Sequence, residues 1–428
     1  MNYRYRVKER FSLQEKNRVW CVVGAGPVGC QAALCLRRQV GVKSESLSLL
    51  DPCRPLEVWS RRTESCGMRY LRSPSVHHLG PGSSDLVRFQ KQRYRTGKPW
   101  RGKSNSPKLD LFNAHSGHLV EESGLQKAWI PAKVERLVRN GSGFSLETNQ
   151  GDFLAGRVVL ALGPCWLKQL PSWLEPGRRL VQYILNPSFS TDCLGAGKRL
   201  AVVGGGMTSV QAALKLSEQH RVTLLTRSEL QVHEFDVASG WMGPMNGRFA
   251  RLPNQERRAL VDSKKRGGTI NSSVYRSFRK ALEEGRLHHE LLNEPDCSPR
   301  GEALVVHNGG ESMLFDQVLL GTGFGPIVHP LHRQIAEELG APLSHCGTPV
   351  LDHYLQWLPG LFVMGCQAEL QLGPAAGNIL GGRLGSQRLL SFCRMRELGV
   401  ENGHRHGEVR TKPSSSNSRV TNVASLRA

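Results

Sequence analysis

Residues 19–30, VWCVVGAGPVGC, run from an apolar strand straight into a glycine turn, and CQAALCLRRQ (30–39) continues as a helix. A second apolar strand, SLSLLD, closes the unit at Asp51. Strand, turn, helix and strand make a βαβ unit, and Gly24, Gly26 and Gly29 form GxGxxG at its turn. Gly24 permits the tight turn, Gly26 lets the backbone approach a pyrophosphate, and Gly29 lets the helix pack close to the strand. The phosphates then lie over a helix N-terminus, where free N–H groups and the dipole favour negative charge. Asp51 stands 22 residues after Gly29, placed to accept hydrogen bonds from a ribose. The bland alternative is a glycine-rich turn with a coincidental Asp. The strand before it and the helix after it argue against that.

The same grammar returns in mid-chain. KRLAVVGGGMTSVQAALKLSEQ (198–219), followed by RVTLLTR (221–227), is again strand, glycine turn, helix and strand. Gly204, Gly206 and Ser209 give GxGxxS, and Arg227 stands where the first unit has Asp51. An acid there repels the 2′-phosphate of NADP, whereas a guanidinium binds it through a fork of N–H donors. NADPH is therefore expected at this loop, against the reading that Arg227 only solvates a strand end. RVVLALGP (157–164) and FDQVLLGTGF (315–324) are two strands of like character, ending at Gly163 and Gly323. GLFVMG (360–365) reads as a short buried strand closing at Gly365, and residues 375–397 as a closing helix.

Composition mainly excludes. The 428 residues suit two or three domains. No apolar run approaches the roughly 20 residues that span a bilayer, so no membrane partner is expected. The start, MNYRYRVKERF, has no apolar stretch after its charges and carries Glu9, so the chain reads as cytoplasmic. Eleven cysteines without a CxxC read as free thiols rather than a disulfide framework, and no metal is expected. Cys30 and Cys35 have the spacing of some redox pairs, but on one helix they point about 140° apart. Of the net charge of +21, seven units lie in residues 1–18 and 401–428. No basic run with interleaved aromatics and no zinc or helix-turn-helix signature accompanies it, so nucleic acid is not the expected partner. A basic surface that attracts small anions suffices.

Two nucleotide loops in one chain resemble the two-dinucleotide-binding-domain flavoproteins, over about residues 18–397. The resemblance implies an α/β fold of two Rossmann-like dinucleotide-binding domains, with the NADPH domain inserted into the FAD domain. It implies FAD at the first loop and NADPH at the second, with Gly163 and Gly323 in the paired turns that carry the chain between domains. The corresponding limits are a basic extension (1–17), an FAD-binding part (18–168), the NADPH-binding domain (169–328), a second FAD-binding part (329–398) and a disordered basic tail (399–428). The third signature of these proteins ends Gly-Asp, but here Gly365 is followed by Cys366. That flavin contact is lost or supplied elsewhere.

Within this superfamily the chain resembles the lysine/ornithine N-hydroxylase-like monooxygenases. WSRRTESCGMRYLRSPSVHHLGP (59–81) looks like the stretch that passes the flavin ring in them. LQLGPAAGNILGGR (370–383) looks like the helix start that faces the flavin, which brings in Pro374 and Asn378. HEFDVASGWMGP (233–244) is similar to a feature of the same relatives, with no chemistry attached. The FxGxxxH fingerprint of the Baeyer–Villiger and mammalian-type enzymes is missing from QYILNPSFSTDCLGAG (182–197). On this resemblance Trp59 stacks near the flavin or packs in the core, and Arg72, like Arg69, holds a phosphate or is solvated. His78 positions NADP or supplies a proton as the catalytic residue, or else is a structural histidine satisfied by backbone. The implied activity is NADPH-dependent reduction of FAD, then reaction with O₂ through a flavin peroxide to oxygenate an amine-like small molecule. Two alternatives stand: a reductase of another acceptor, and a nucleotide-binding regulatory protein with little turnover.

Overall fold

The structure, a computed structural model, describes residues 19–94, 97–163, 170–237, 239–242, 244–264, 268–323 and 328–397. The expected extension 1–17 and tail 399–428 lie outside the described residues. Strand β1 (Trp20–Val23), helix α1 (Pro27–Arg38) and strand β2 (Leu47–Leu50) form the first βαβ unit, joined by β3 (Trp129–Ile130) and β4 (Arg157–Leu160). The chain then lays down β5 (Val181–Tyr183), β6 (Arg199–Val203), α2 (Met207–Leu216), β7 (Arg221–Thr226), β8 (Leu287–Leu291) and β9 (Gln317–Leu320). It finishes with β10 (Gln356–Leu358), β11 (Leu361–Val363) and α3 (Ile379–Glu397).

The first sheet has the order β10-β11-β4-β1-β2-β3 and is parallel except for the β10–β11 hairpin. The second has the order β5-β9-β6-β7-β8 and is parallel throughout. All strands of the second sheet fall in sequence between β4 and β10 of the first. The chain thus adopts the α/β class of two Rossmann-like units read from its sequence. Among the described residues no helix is long and apolar enough to cross a membrane.

Parallel strands covered on both faces must be apolar throughout, and β1 is buried along its whole length. In the second sheet, alternation separates two cores. Leu200 and Val202 face α2 and the helix Ser272–Glu283, while Ala201 and Val203 face Leu304, Val306 and Phe315. Those last three belong to a three-stranded antiparallel sheet of Asp296–Arg300, Ala303–Asn308 and Glu311–Phe315. The first unit repeats the plan with an antiparallel sheet over Val134–Asn140, Gly143–Thr148 and Gly151–Ala155. Helix α1, buried from Gly29 through Leu36, is enclosed between the first sheet and α3. Within a Pro- and Gly-containing stretch, Val181–Tyr183 joins β9 as an edge strand. At three residues it is too short to show a period.

His332, on the helix Pro330–Leu339, is 1% exposed, with its ring edge-on to Trp357 at 5.4 Å and to His329 at 5.8 Å. Burial pushes its pKa down to about 3. In the unfolded chain it titrates near 6.5, so its contribution to stability is complete above that pH and is lost as pH falls towards 3. At pH 5 the loss is about 2 kcal/mol. Urea midpoints should fall between pH 7 and pH 5, and His332→Phe should flatten part of that fall. An identical slope in the variant would contradict the buried neutral imidazole.

Candidate functional site

The first glycine loop is built by close backbone contact. Gly24 has φ +104°, and a Cβ there would lie 2.3 Å from the Ala161 oxygen. A Cβ on Gly29 would lie 1.8 Å from the Gly24 oxygen, so both positions exclude any side chain. Gly26 is different: it has ordinary φ (−71°), and a Cβ there would meet nothing within 4 Å. It faces open space at the N-terminus of α1, which begins with Pro27 and has no side-chain cap. Free N–H groups, a helix dipole and a bare Cα facing solvent fit a pyrophosphate.

Asp51 knits this loop together. Its Oδ2 accepts from Ala25 N and its Oδ1 from Cys53 N, both at 2.8 Å. Burial raises its carboxyl above the usual range, opposed by those two N–H groups, which favour the charged form. Each carboxylate oxygen keeps a lone pair for a ribose hydroxyl. Trp129 Nε1 donates to the Asp51 carbonyl at 2.9 Å, beside a cavity of about 350 Å³ lined by Arg54, Leu56, Asn113 and Trp129. Leu56 holds a left-handed conformation (φ 65°), its N–H donating to Ala25 O at 2.9 Å. Such a leucine is strained, and nothing in the local sequence announces it.

The second loop repeats the plan with one change. Gly204 has φ +128°, and a Cβ there would meet the Gly321 oxygen at 2.9 Å. Ser209 is fully buried, and its Oγ donates to Gly321 O at 3.0 Å, so the helix stands off the strand by one hydroxyl. Helix α2 is also without a side-chain cap, and Arg227 lies exposed just past β7. At Gly206, however, a Cβ would meet the Gly268 Cα at 3.3 Å. The chain's own backbone lies where a pyrophosphate would come. The second loop fits a dinucleotide only with Gly268 withdrawn.

The other expected residues fall into two groups. Gly163, Gly323 and Gly365 all have positive φ (+71°, +83° and +84°), and Gly365 packs near Val28 of α1. Asn378 Oδ1 accepts from Gly381 N at 3.1 Å, capping α3, with the half-buried Pro374 just ahead of it. The helix starts are tied together by Gln31, whose Nε2 donates to His78 O at 3.2 Å and Ile379 O at 3.1 Å. No motif singles out that glutamine.

Two expectations are corrected. His78 is fully buried, its Nδ1 accepts from Gly80 N at 3.1 Å and its Nε2 faces Ser83 O at 3.3 Å, while burial lowers its pKa. Both ring nitrogens are engaged by main chain, which leaves no proton to offer a substrate. Arg72 is removed from phosphate binding because all five of its N–H donors are used within the protein. Its Nε donates to Glu234 O at 3.0 Å, its Nη1 to Asp236 and to Thr269 O, and its Nη2 to His233 O and Thr269 Oγ1. Trp59 donates its indole N–H to Asn113 Oδ1 at 3.0 Å and packs its ring 5.5 Å from Phe112. The ring is half-buried, packed against the edge of the core.

No family model and no curated protein matches the chain, but solved structures do. DfoA, the desferrioxamine-pathway cadaverine monooxygenase of Erwinia amylovora, solved with FAD, gives a TM-score of 0.67 at 17% identity, covering 93% of this chain and 99% of that one. KtzI, the ornithine N-hydroxylase of Kutzneria sp. 744, solved with reduced FAD, NADP⁺ and L-ornithine, gives 0.70 at 15%, covering 89% and 99%. The bacillithiol disulfide reductase Bdr of Bacillus cereus gives 0.54 at 17%, covering 89% and 99%. The chain shares their fold. The resemblance read from its glycine loops holds over nearly the whole length of each.

Because a side chain at Gly26 meets no protein atom, Gly26→Val should fold normally and obstruct only what the loop holds. Purified Gly26→Val should melt within a few degrees of the parent but carry no bound dinucleotide, read from absorbance and from nucleotide released on heating. Full cofactor retention by the variant would remove the site from this loop.

Proposed function

We propose that the protein is an FAD- and NADPH-dependent monooxygenase that hydroxylates the nitrogen of a small amine. The observation that carries this reading is the open, uncapped cradle at Gly26 beside Asp51, in a chain with a second glycine loop, covered by Gly268, whose unit ends at Arg227. FAD is assigned to the first loop: its pyrophosphate over Gly26 and the α1 N-terminus, its ribose at Asp51, its adenine in the cavity beside Trp129. When bound, it supplies the redox chemistry, accepting hydride from NADPH and delivering electrons to O₂. NADPH is assigned to the second loop, with Arg227 at the 2′-phosphate. The strand memberships support domain limits of 18–168, 169–328 and 329–398.

The residues of this chain bind, orient and exclude water. Gln31 and Arg383 hold residues 76–81 against α1 and α3, since Arg383 donates to Val76 O at 2.7 Å and Pro81 O at 2.8 Å. The overall reaction consumes one amine, one O₂, one NADPH and one proton, and yields hydroxylamine, water and NADP⁺. The oxygenase reading is preferred to a disulfide reductase because none of the eleven cysteines forms a CxxC pair. Cys30 and Cys35 are buried, and burial pushes the Cys35 thiol up to about 12, unsuited to thiolate exchange. The higher TM-scores to the cadaverine and ornithine enzymes than to Bdr support the same choice. Cysteine spacings without a disulfide framework also suit a reducing cytoplasm.

Two measurements test it. Cadaverine, ornithine and lysine should be screened for faster NADPH oxidation and for hydroxylamine formation. Hydrogen peroxide equal to NADPH consumed, whatever amine is present, would leave a reductase or oxidase in its place. Separately, Arg227→Ala should raise the KM for NADPH about 10- to 150-fold with little change for NADH, the worth of a charge-assisted phosphate contact. Equal use of NADH by the parent protein would defeat the Arg227 assignment.

A further inference from the structure

The two glycine loops differ in cover. At Gly26 a Cβ would meet nothing within 4 Å, whereas Gly206 lies under Gly268. A Cβ on Gly268 would come within 2.7 Å of both the Gly206 Cα and N. Gly268 does not have the positive φ that would demand glycine. The contact with Gly206 is what forbids a side chain there.

Residues 268–270 are held in this place from two sides. Thr269 and Ile270 pair with Gln231 and Val232 in a short parallel bridge, extended by His233 N donating to Ile270 O at 2.8 Å. Arg72 then spans both strands, its Nη1 donating to Thr269 O at 3.2 Å and its Nη2 to Thr269 Oγ1 at 2.9 Å. The remaining donors reach His233 O, Glu234 O and the Asp236 carboxylate. The Arg72 side chain is only 10% exposed, while that of Asp236 is 63% exposed. One guanidinium from residues 59–81 therefore fastens the two strands that cover the second loop.

We propose that Gly268–Ile270 forms a latch closed over the NADPH loop and that Arg72 is the positioning residue that holds it shut. This rests on the reading of the second loop as the NADPH site. A dinucleotide binds only the open form, so its apparent affinity is the intrinsic affinity reduced by the open fraction. A latch closed nine-tenths of the time weakens binding about tenfold. Because Arg72 belongs to the segment assigned to the flavin side, opening the latch also frees the guanidinium within that segment, while Gln31 and Arg383 still hold residues 76–81. Arrival of the reductant at one loop is thereby registered beside the other cofactor.

The test is calorimetric titration of NADP⁺ into the full-length, FAD-loaded protein, with amide exchange at Met207–Ser209 followed without nucleotide. Gly268→Ala cannot close, so it should bind NADP⁺ about tenfold more tightly and exchange faster at the start of α2. Arg72→Gln should also tighten NADP⁺ binding, whereas an arginine with a purely structural role would weaken binding or leave it unchanged on substitution. If Arg72→Gln does not fold, Gly268→Ala decides alone. Equal or weaker binding by Gly268→Ala, with the parent binding normally, overturns the latch and leaves the nucleotide assignment standing. Absence of NADP⁺ binding in both proteins overturns the nucleotide assignment and the latch together.

Discussion

Two carbonyl oxygens determine where everything else in this molecule can sit. Ala161 O presses on Gly24, and Gly321 O presses on Gly204, each at a distance that no Cβ would tolerate. In both units the strand that carries the chain away from the sheet ends against the first glycine of the loop. That contact draws the following helix over the sheet edge and aims its N-terminus at the crevice beyond the strand ends, where α/β folds bind ligands. The third position then sets how far the helix stands off. Gly29 allows α1 to touch the loop backbone, whereas Ser209 keeps α2 away by one hydroxyl and bonds that hydroxyl to the same strand end.

The fold was legible because its determinants are local. Glycines at fixed spacing, apolar strands either side and an acid or arginine at the second strand end lie within about thirty residues of each other. The misread positions depend on distant partners. Arg72 has the chemistry of a phosphate ligand, but its five donors are taken by residues about 160 to 200 positions away. His78 lies in the segment the motifs picked out, yet only the folding of residues 78–83 back on themselves shows both its nitrogens engaged. Gly268 sits in a polar stretch with no period, and its reason for being glycine is a contact with Gly206 that no sequence pattern records.

Cys366 marks the departure in charge. Where the resembling proteins carry an acid after Gly365, this chain presents a thiol, packed near Gly377 ahead of α3. Helices α1 and α3 bring their N-termini to this same region, joined through Gln31. Their partial positive charges thus act on the crevice without a carboxylate to offset them at that position. An anionic group seated there gains from both dipoles.

The interleaving of the two sheets also bears on how the chain is made. All five strands of the second sheet, ending at Leu320, are synthesised before β10 and β11, so this unit is complete while the first sheet still lacks an edge and the helix α3. Until α3 arrives, the apolar face of α1 that it covers has no partner, and exposed apolar surface of that kind invites aggregation. Because domains tend to fold as units as they emerge, the inserted half would be native first and would hold the two ends of the outer half near each other. The N-terminal half then waits for roughly the last sixth of the polypeptide, which makes its assembly the slow, non-local step.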